Sequence, residues 1–319
     1  MSTFNQISVL IPTYNRAPQL KDTVLSVAHQ SLPPLEIIVI DDGSTDDTEQ
    51  TIDEIKSLIS SCPTKLVYLK QTNKGKSAAL NYGLENASGT WIAYNDSDDI
   101  WLPQKLEKQA KALNAHPECK ACTTNSRFTN NSAMNYTSFE KAKRPYHMDV
   151  GVINNAYEHC TDAPHGIFMQ SLIVHRSIAE KVGHLKNDYR VSQDTDFIFR
   201  IGLHTAFCYL KEPLTEIDRS PDRKLRLTTE FNRESLKRLT TLECIFRSWL
   251  PLLPKNNKAI RNTKRLLASV LKEQSFIAAS SGNAKYARRL LANSFKLHRN
   301  FKTFYRFFWL YWVSRVKLQ

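Results

Sequence analysis

The sequence predicts an α/β fold, a mostly parallel sheet flanked by helices, followed by a helical C-terminal appendage. Three observations predict it. Short apolar runs alternate with segments of helical period through the first hundred residues, carboxylates gather just beyond two of those runs, and the charge changes sign late in the chain. With 319 residues, 41% of them hydrophobic and 10% aromatic, and only 9 glycines, disordered, collagenous and low-complexity classes are excluded. A chain of this length buries about three quarters of its unfolded surface, so two domains, or one with an appendage, are expected.

The elements follow in order. Ile7-Ser8-Val9-Leu10-Ile11 is an apolar run ended by Pro12, and Glu36-Ile37-Ile38-Val39-Ile40 is a second, ended by Asp41-Asp42-Gly43-Ser44. Both read as buried strands. Leu20, Val24, Leu25 and Val27 share a helical face between them, and Ile52, Ile55, Leu58 and Ile59 do the same after the second strand, with Ser44 and Asp47 spaced as a capping box. Strands at Lys65 to Leu69 and Thr90 to Tyr94, separated by a helix through Ala78 to Leu84, complete a βαβαβαβ register. That register requires a largely parallel sheet with right-handed crossovers. Ligands bind such sheets beyond the carboxyl ends of the strands.

Those ends carry the acidic clusters. A capping box accounts for Ser44 and Asp47 but leaves Asp41 and Asp42 without a task. A polar turn ahead of Pro103 does not account for Asp96, Asp98 and Asp99 within four residues. Like charges this close are tolerated in full solvent or around a cation. A hard divalent ion takes one or two carboxylates and completes its shell with water and phosphate, and Asp96 and Asp98 meet that demand. The chain has no Gly-rich dinucleotide fingerprint, and Asn73-Lys74-Gly75-Lys76-Ser77 lacks the first glycine of a Walker A loop. Phosphate is therefore expected to be held through a metal, with Lys74 and Lys76 read either as phosphate contacts or, preferentially, as a solvated helix start.

Ser8-Val9-Leu10-Ile11-Pro12-Thr13-Tyr14-Asn15-Arg16, then Glu36 to Asp46, then Asp96-Ser97-Asp98-Asp99-Ile100-Trp101, resemble the successive signatures of family 2 glycosyltransferases with the GT-A fold. A fourth segment, Val191 to Arg200, is similar to that family's acidic motif on the acceptor side. The resemblance covers roughly residues 5 to 220. It implies a nucleotide-sugar donor, most often a UDP-sugar, with Pro12, Thr13, Asn15, Asp42 and Asp96 on the donor side. It implies Mn²⁺ or Mg²⁺ at the Asp-x-Asp formed by Asp96 and Asp98, and Asp194 as the catalytic base of an inverting transfer. The residues alone leave Asp194 open between a base and a helix cap, with Ser192 as a competing cap. Trp101, His165 and Gln193 are expected on the acceptor side, with Trp101 read either as stacking on a sugar ring or as a buried aromatic after a turn. This chain departs from many relatives in having Gln193 where glutamate is frequent, and no histidine in Ile217 to Arg223 to serve as a further metal ligand. Arg219 and Arg223 stand there instead.

Charge divides the chain near Pro221. Residues 1 to 222 hold 22 Lys+Arg against 27 Asp+Glu, whereas residues 223 to 319 hold 22 against 4. The expected domains are therefore a catalytic domain over 1–222, with a nucleotide-sugar half to about residue 100 and an acceptor half after it, and a basic helical region over 223–319. Leu236, Leu239, Leu242 and Phe246, then Leu266, Leu267, Val270 and Leu271, then Ala287, Leu290, Leu291 and Phe295 recur at helical spacing. Phe301 to Lys317 mixes aromatics with cations, a composition suited to an anionic membrane surface. The longest apolar run there, Phe307 to Val313, is too short to span a bilayer. No signal peptide is read at the N-terminus, and six cysteines at irregular spacing suit reduced thiols, so the expected place is cytoplasmic, peripheral at the inner face of the membrane. Cys119 and Cys122 lack the second pair of a zinc ribbon. The partners implied are a nucleotide-sugar donor and a glycan or lipid-linked acceptor, without nucleic acid. Two rival readings are a nucleic-acid-binding protein using the basic region, and an inactive scaffold of the same fold.

Overall fold

The first apolar run forms β1 (Ile7–Thr13) and the second β2 (Glu36–Asp41), each buried along its whole length in the computed structural model. The structure describes residues 6–143, 146–162, 165–189, 191–220, 236–255 and 257–299. Strands covered on both faces need no polar alternation, and for that reason they read as continuous apolar runs. Between and after them come α1 (Ala17–Ala28), α2 (Thr48–Leu58), β3 (Lys65–Lys70), α3 (Lys76–Asn86) and β4 (Trp91–Tyr94). β1 pairs in parallel with β2 and with β4, and β2 with β3. The carboxyl ends of β1, β2 and β4 therefore open on one edge, next to each other.

The second half completes a nine-stranded sheet. It contains β5 (Ile100–Trp101), α4 (Lys105–Ala115), β6 (Cys119–Thr129), α5 (Ser138–Lys141), β7 (Val150–Ile153), α6 (Ala156–Thr161), β8 (Leu172–His175), α7 (Arg176–Val182), α8 (Gln193–Gly202) and β9 (Ala206–Asp218). A single 3₁₀ turn, Met169–Ser171, precedes β8. β8 runs antiparallel to β4 and β6, β9 runs parallel to β6, and β5 and β7 pair antiparallel with β9. The sheet is thus mostly parallel through its first half and mixed beyond it.

Helix faces follow the period. Leu20, Val24, Val27, Ile52 and Ile55 are packed against β1 and β2 in one core. Leu58, expected on that face, is 49% exposed, because the inward place one turn after Ile55 falls to Ile59. Cys119, Cys122, Cys160 and Cys208 are buried free thiols, Cys62 is half-buried and Cys244 exposed.

The chain divides into two compact units, Met1–Arg223 and Lys224–Gln319. The second contains α9 (Leu236–Trp249), α10 (Asn257–Ser280) and α11 (Ala284–Leu297). Leu239, Phe246, Leu267, Val270, Leu271, Ala287, Leu290 and Leu291 are buried, whereas Leu236, at the first position of α9, is exposed. Gly282 turns the chain at φ +80°, and Asn283 caps α11 by accepting the Tyr286 N–H at 3.1 Å. The aromatic and cationic stretch from 301 to 317, read as a membrane-surface anchor, lies outside the described residues, as do Pro221 and Arg223. Among the described residues no helix is long and apolar enough to cross a membrane.

Candidate active site

The loops after β1 and β2 are tied together by their polar residues. Asn15 adopts φ +50°, which lets its N–H donate to Ser44 Oγ at 2.9 Å while its Oδ1 accepts from the Thr45 N–H at 2.8 Å. Asp41 Oδ1 accepts the Ser44 N–H at 2.8 Å and Oδ2 accepts the Tyr68 hydroxyl at 2.7 Å. Burial and that bond to Asp41 push the Tyr68 hydroxyl pKa upward. Asp42 accepts from Gln71 Nε2 at 2.7 Å and from the Lys74 and Gly75 N–H groups at 2.8 Å each. Pro12 and Thr13 are buried at the end of β1, with the Thr13 hydroxyl oxygen lacking a hydrogen-bond partner among the described residues. The capping box expected of Ser44 and Asp47 is not formed. Asp47 is the N-cap of α2 without a side-chain bond, and Ser44 is used across the loops instead. Asp46 Oδ2 accepts the Ala17 N–H at 3.0 Å, satisfying the first turn of α1 from a distance.

Beyond β4, Asp96, Asp98 and Asp99 each place a carboxylate oxygen within 4.8 Å of the others. Their partners differ. Asp96 pairs with Lys76 at 2.5 Å, and Asp98 pairs with Arg16. Asp99 is buried and accepts from Gln170 Nε2 at 2.6 Å and from the Asp218 N–H at 3.0 Å. Burial, with Asp98 and Asp96 beside it, pushes the Asp99 carboxyl pKa well above the ordinary aspartate value. Asp96 and Asp98 therefore fit a hard divalent cation by donor type and number, whereas Asp99 is committed to holding the β4 loop against β9 and the 3₁₀ turn.

The fourth motif lies at the start of α8. Ser192, its N-cap, sits at φ +58° and makes no side-chain cap bond. A non-glycine residue in that region stores strain that the surrounding structure must hold. Gln193 is buried, and its Oε1 has no partner among the described residues. Asp194 Oδ1 accepts the Thr195 N–H at 2.7 Å, and Thr195 Oγ1 lies 3.5 Å from His165 Nε2. His165 Nδ1 accepts the Ile167 N–H at 3.2 Å, which assigns the ring proton to Nε2. Asp196 is turned away and paired with Arg200 at 2.9 Å.

One side chain joins the two carboxylate sites. Burial disfavours the Lys76 ammonium, yet Asp96, Asp194 and Asp98 together outweigh it and raise its pKa above the ordinary lysine value. The preferred reading of Lys76 as a solvated helix start does not hold, since its side chain is 22% exposed and paired with Asp96; the strand-end rule, applied to β3 as well as β1, places it here with Arg16. Gln170 offered no signal, coming from a stretch without usable period. Of the two readings of Trp101 the buried aromatic holds and the acceptor-side placement is corrected: it is 2% exposed, its indole N–H donates to the Gln170 carbonyl at 2.9 Å, and Lys105 Nζ covers its ring at 3.7 Å. Its faces are not open to a sugar, and it supports Gln170 from behind. Arg219 acts on Asp99 electrostatically, opposing the upward shift of its carboxyl.

Comparison with known proteins gives consistent relatives. The family model described as glycosyl transferase family 2 matches residues 8–175. A putative teichuronic acid biosynthesis glycosyltransferase, TuaG of Bacillus subtilis, is 42% identical over 107 residues, covering 34% of this chain and 41% of its own. An uncharacterized glycosyltransferase of Haemophilus influenzae is 42% identical over 103 residues, covering 32% and 40%. The matches thus span about two fifths of the length of these relatives. Among solved structures, Staphylococcus aureus TarS 1-349 in complex with UDP-GlcNAc superimposes with a TM-score of 0.65 at 17% identity, covering 92% of this chain and 81% of that one. The mannosyltransferase PcManGT from Pyrobaculum calidifontis, in complex with GDP-Man and Mn²⁺, gives 0.55 at 19% identity, covering 98% and 86%. At such identities the likeness is one of fold.

Proposed function

The chain belongs to glycosyltransferase family 2, and on that premise we propose that it moves a sugar from a nucleotide-sugar donor, a UDP-sugar, to a hydroxyl of a glycan or lipid-linked acceptor. The observation that carries this reading is the carboxylate cluster at the carboxyl end of β4, where Asp96 and Asp98 approach within 4.8 Å and pair with Lys76 and Arg16, with Asp194 near enough to act on the same Lys76 ammonium. Thr13, Asn15 and Asp42, with Pro12 shaping the end of β1, line the donor side, and Asp98 with Asp96 would hold Mn²⁺ or Mg²⁺. Such an ion, when bound, supplies charge that neutralises the departing diphosphate.

The acceptor oxygen attacks the anomeric carbon as the bond from that carbon to the diphosphate oxygen breaks. The electron pair leaves with the nucleotide, and the hydroxyl proton goes to Asp194. With Oδ1 held by Thr195, Asp194 presents Oδ2 to that proton. A base so placed contributes roughly 10² to 10⁴ in rate. One displacement inverts the anomeric centre. His165 steadies Thr195, and Gln193 offers a buried acceptor on the same side. Residues 1–222 form the catalytic domain in this reading, and the basic region 223–319 associates with an anionic membrane surface from the cytoplasmic side. The resemblance to TuaG supports a surface polysaccharide as the pathway product.

The test is a panel of UDP- and GDP-sugars, read by nucleotide release with and without Mn²⁺ and by the anomeric configuration of the product. Release that needs Asp98 and an inverted product support the reading. A retained configuration, or equal release by Asp98→Ala, would contradict it, and retention of the chain on single-stranded DNA without sugar transfer would favour the nucleic-acid reading.

A further inference from the structure

We infer that Arg16 and Lys76 are built-in counter-ions of the carboxylate pair, which keep a divalent cation out until a nucleotide diphosphate arrives to take them over. The inference rests on the proposed function and concerns how that site is loaded. Arg16 and Asp98 are 15% and 16% exposed, and Lys76 and Asp96 22% and 28%, so neither pair is a surface contact diluted by salt.

Charge balance sets the order of events. Asp98 and Asp96 are each paired with a cation, Arg16 and Lys76. A dication added by itself brings two further positive charges into a partly buried site, and must also displace a guanidinium and an ammonium from its ligands. A nucleotide sugar brings one negative charge on each of its two phosphates. Dication and donor together restore the balance, with Arg16 and Lys76 turning from aspartate to phosphate. The two ligands must then favour each other's binding by the same factor. Lys76 is placed for this exchange by its loop. Asp42 fixes the backbone at Lys74 and Gly75, and Gly75, at φ +90°, starts α3 so that the Lys76 side chain reaches Asp96.

The experiment measures Mn²⁺ binding to the full chain by loss of the electron paramagnetic resonance signal of the hydrated ion, with and without UDP. The wild-type chain should bind Mn²⁺ at least tenfold more weakly without UDP than with it. Arg16→Met and Lys76→Met should each tighten Mn²⁺ binding in the absence of UDP about tenfold, or about 1.4 kcal/mol, and weaken UDP binding in the presence of Mn²⁺ by a similar factor. Arg16→Lys and Lys76→Arg keep the charge and should behave as wild type, and thermal melting checks that every variant is folded. Mn²⁺ affinity unchanged by UDP, and no tighter in either folded methionine variant, overturns the inference while leaving the donor site standing. Failure of the wild-type chain to bind UDP at all overturns the donor reading itself.

Discussion

Asp42 is expected on the donor side, yet the residue is 4% exposed and its carboxylate accepts three N–H groups of the loop that precedes α3. Asp42→Asn keeps the shape, removes the charge and turns an amide N–H₂ toward the Gly75 N–H. The two bonds on Oδ1, from Gln71 and Lys74, persist without charge assistance, and the Gly75 bond on Oδ2 is lost. Hydrogen bonds to a charged acceptor contribute about 1.5 kcal/mol or more each, roughly twice a neutral one, so one lost and two halved cost roughly 3 kcal/mol. For a unit of this size that lowers the melting temperature by roughly 6 to 12 °C. Urea unfolding of the ligand-free chain, monitored by tryptophan fluorescence, measures it. A loss below about 1 kcal/mol in the absence of any nucleotide would refute the assignment of Asp42 to loop support and return it to a purely ligand-binding role.

Three further predictions follow from other parts of the molecule. Burial lowers the Lys105 pKa to about 7, and the unfolded value is about 10.4, so between those limits only the unfolded chain keeps the proton and stability rises with pH by about 1.36 kcal/mol per unit. Lys105→Met removes that slope. After loss of the hydrogen bond to Gln109 Oε1, whose buried acceptor loses its Lys105 donor at about 2 kcal/mol, it should leave the chain about 2 kcal/mol more stable at pH 7. Parallel denaturation curves for both chains from pH 6.5 to 9.5 would refute this. A Cβ on Gly202 would lie 2.5 Å from the Tyr157 backbone nitrogen, so Gly202→Ala must part α8 from α6 at a cost of about 1 to 3 kcal/mol, read by calorimetry. Because α8 carries Asp194, sugar transfer should fall in that variant while UDP affinity is kept, and an unchanged transfer rate would show that the base does not depend on this packing.

Much of the fold was legible because it rests on burial. β1 and β2 are covered on both faces, and their apolar runs state it directly. The acidic clusters were legible as well, since a parallel sheet leaves only one edge for its ligands. Short-range rules failed where the true partner was far away in sequence: Ser44 meets Asn15 rather than its own helix, and Asp99 meets Gln170 and Asp218. Trp101 was legible as a buried aromatic or a sugar platform, and its neighbours in sequence did not decide between them, because the Gln170 carbonyl that encloses it comes from far along the chain. The stretch between β6 and β8 stayed opaque because its elements are too short to show a period, α5 and β7 having four residues each.

The most direct test is Asp194→Asn, compared with the wild-type chain for UDP affinity and for transfer from whichever sugar nucleotide the panel identifies. UDP binding within twofold of wild type together with a 10² to 10⁴-fold lower turnover is the predicted result. Turnover equal to that of the wild type would show that the proton leaves by another route and that α8 does not furnish the base.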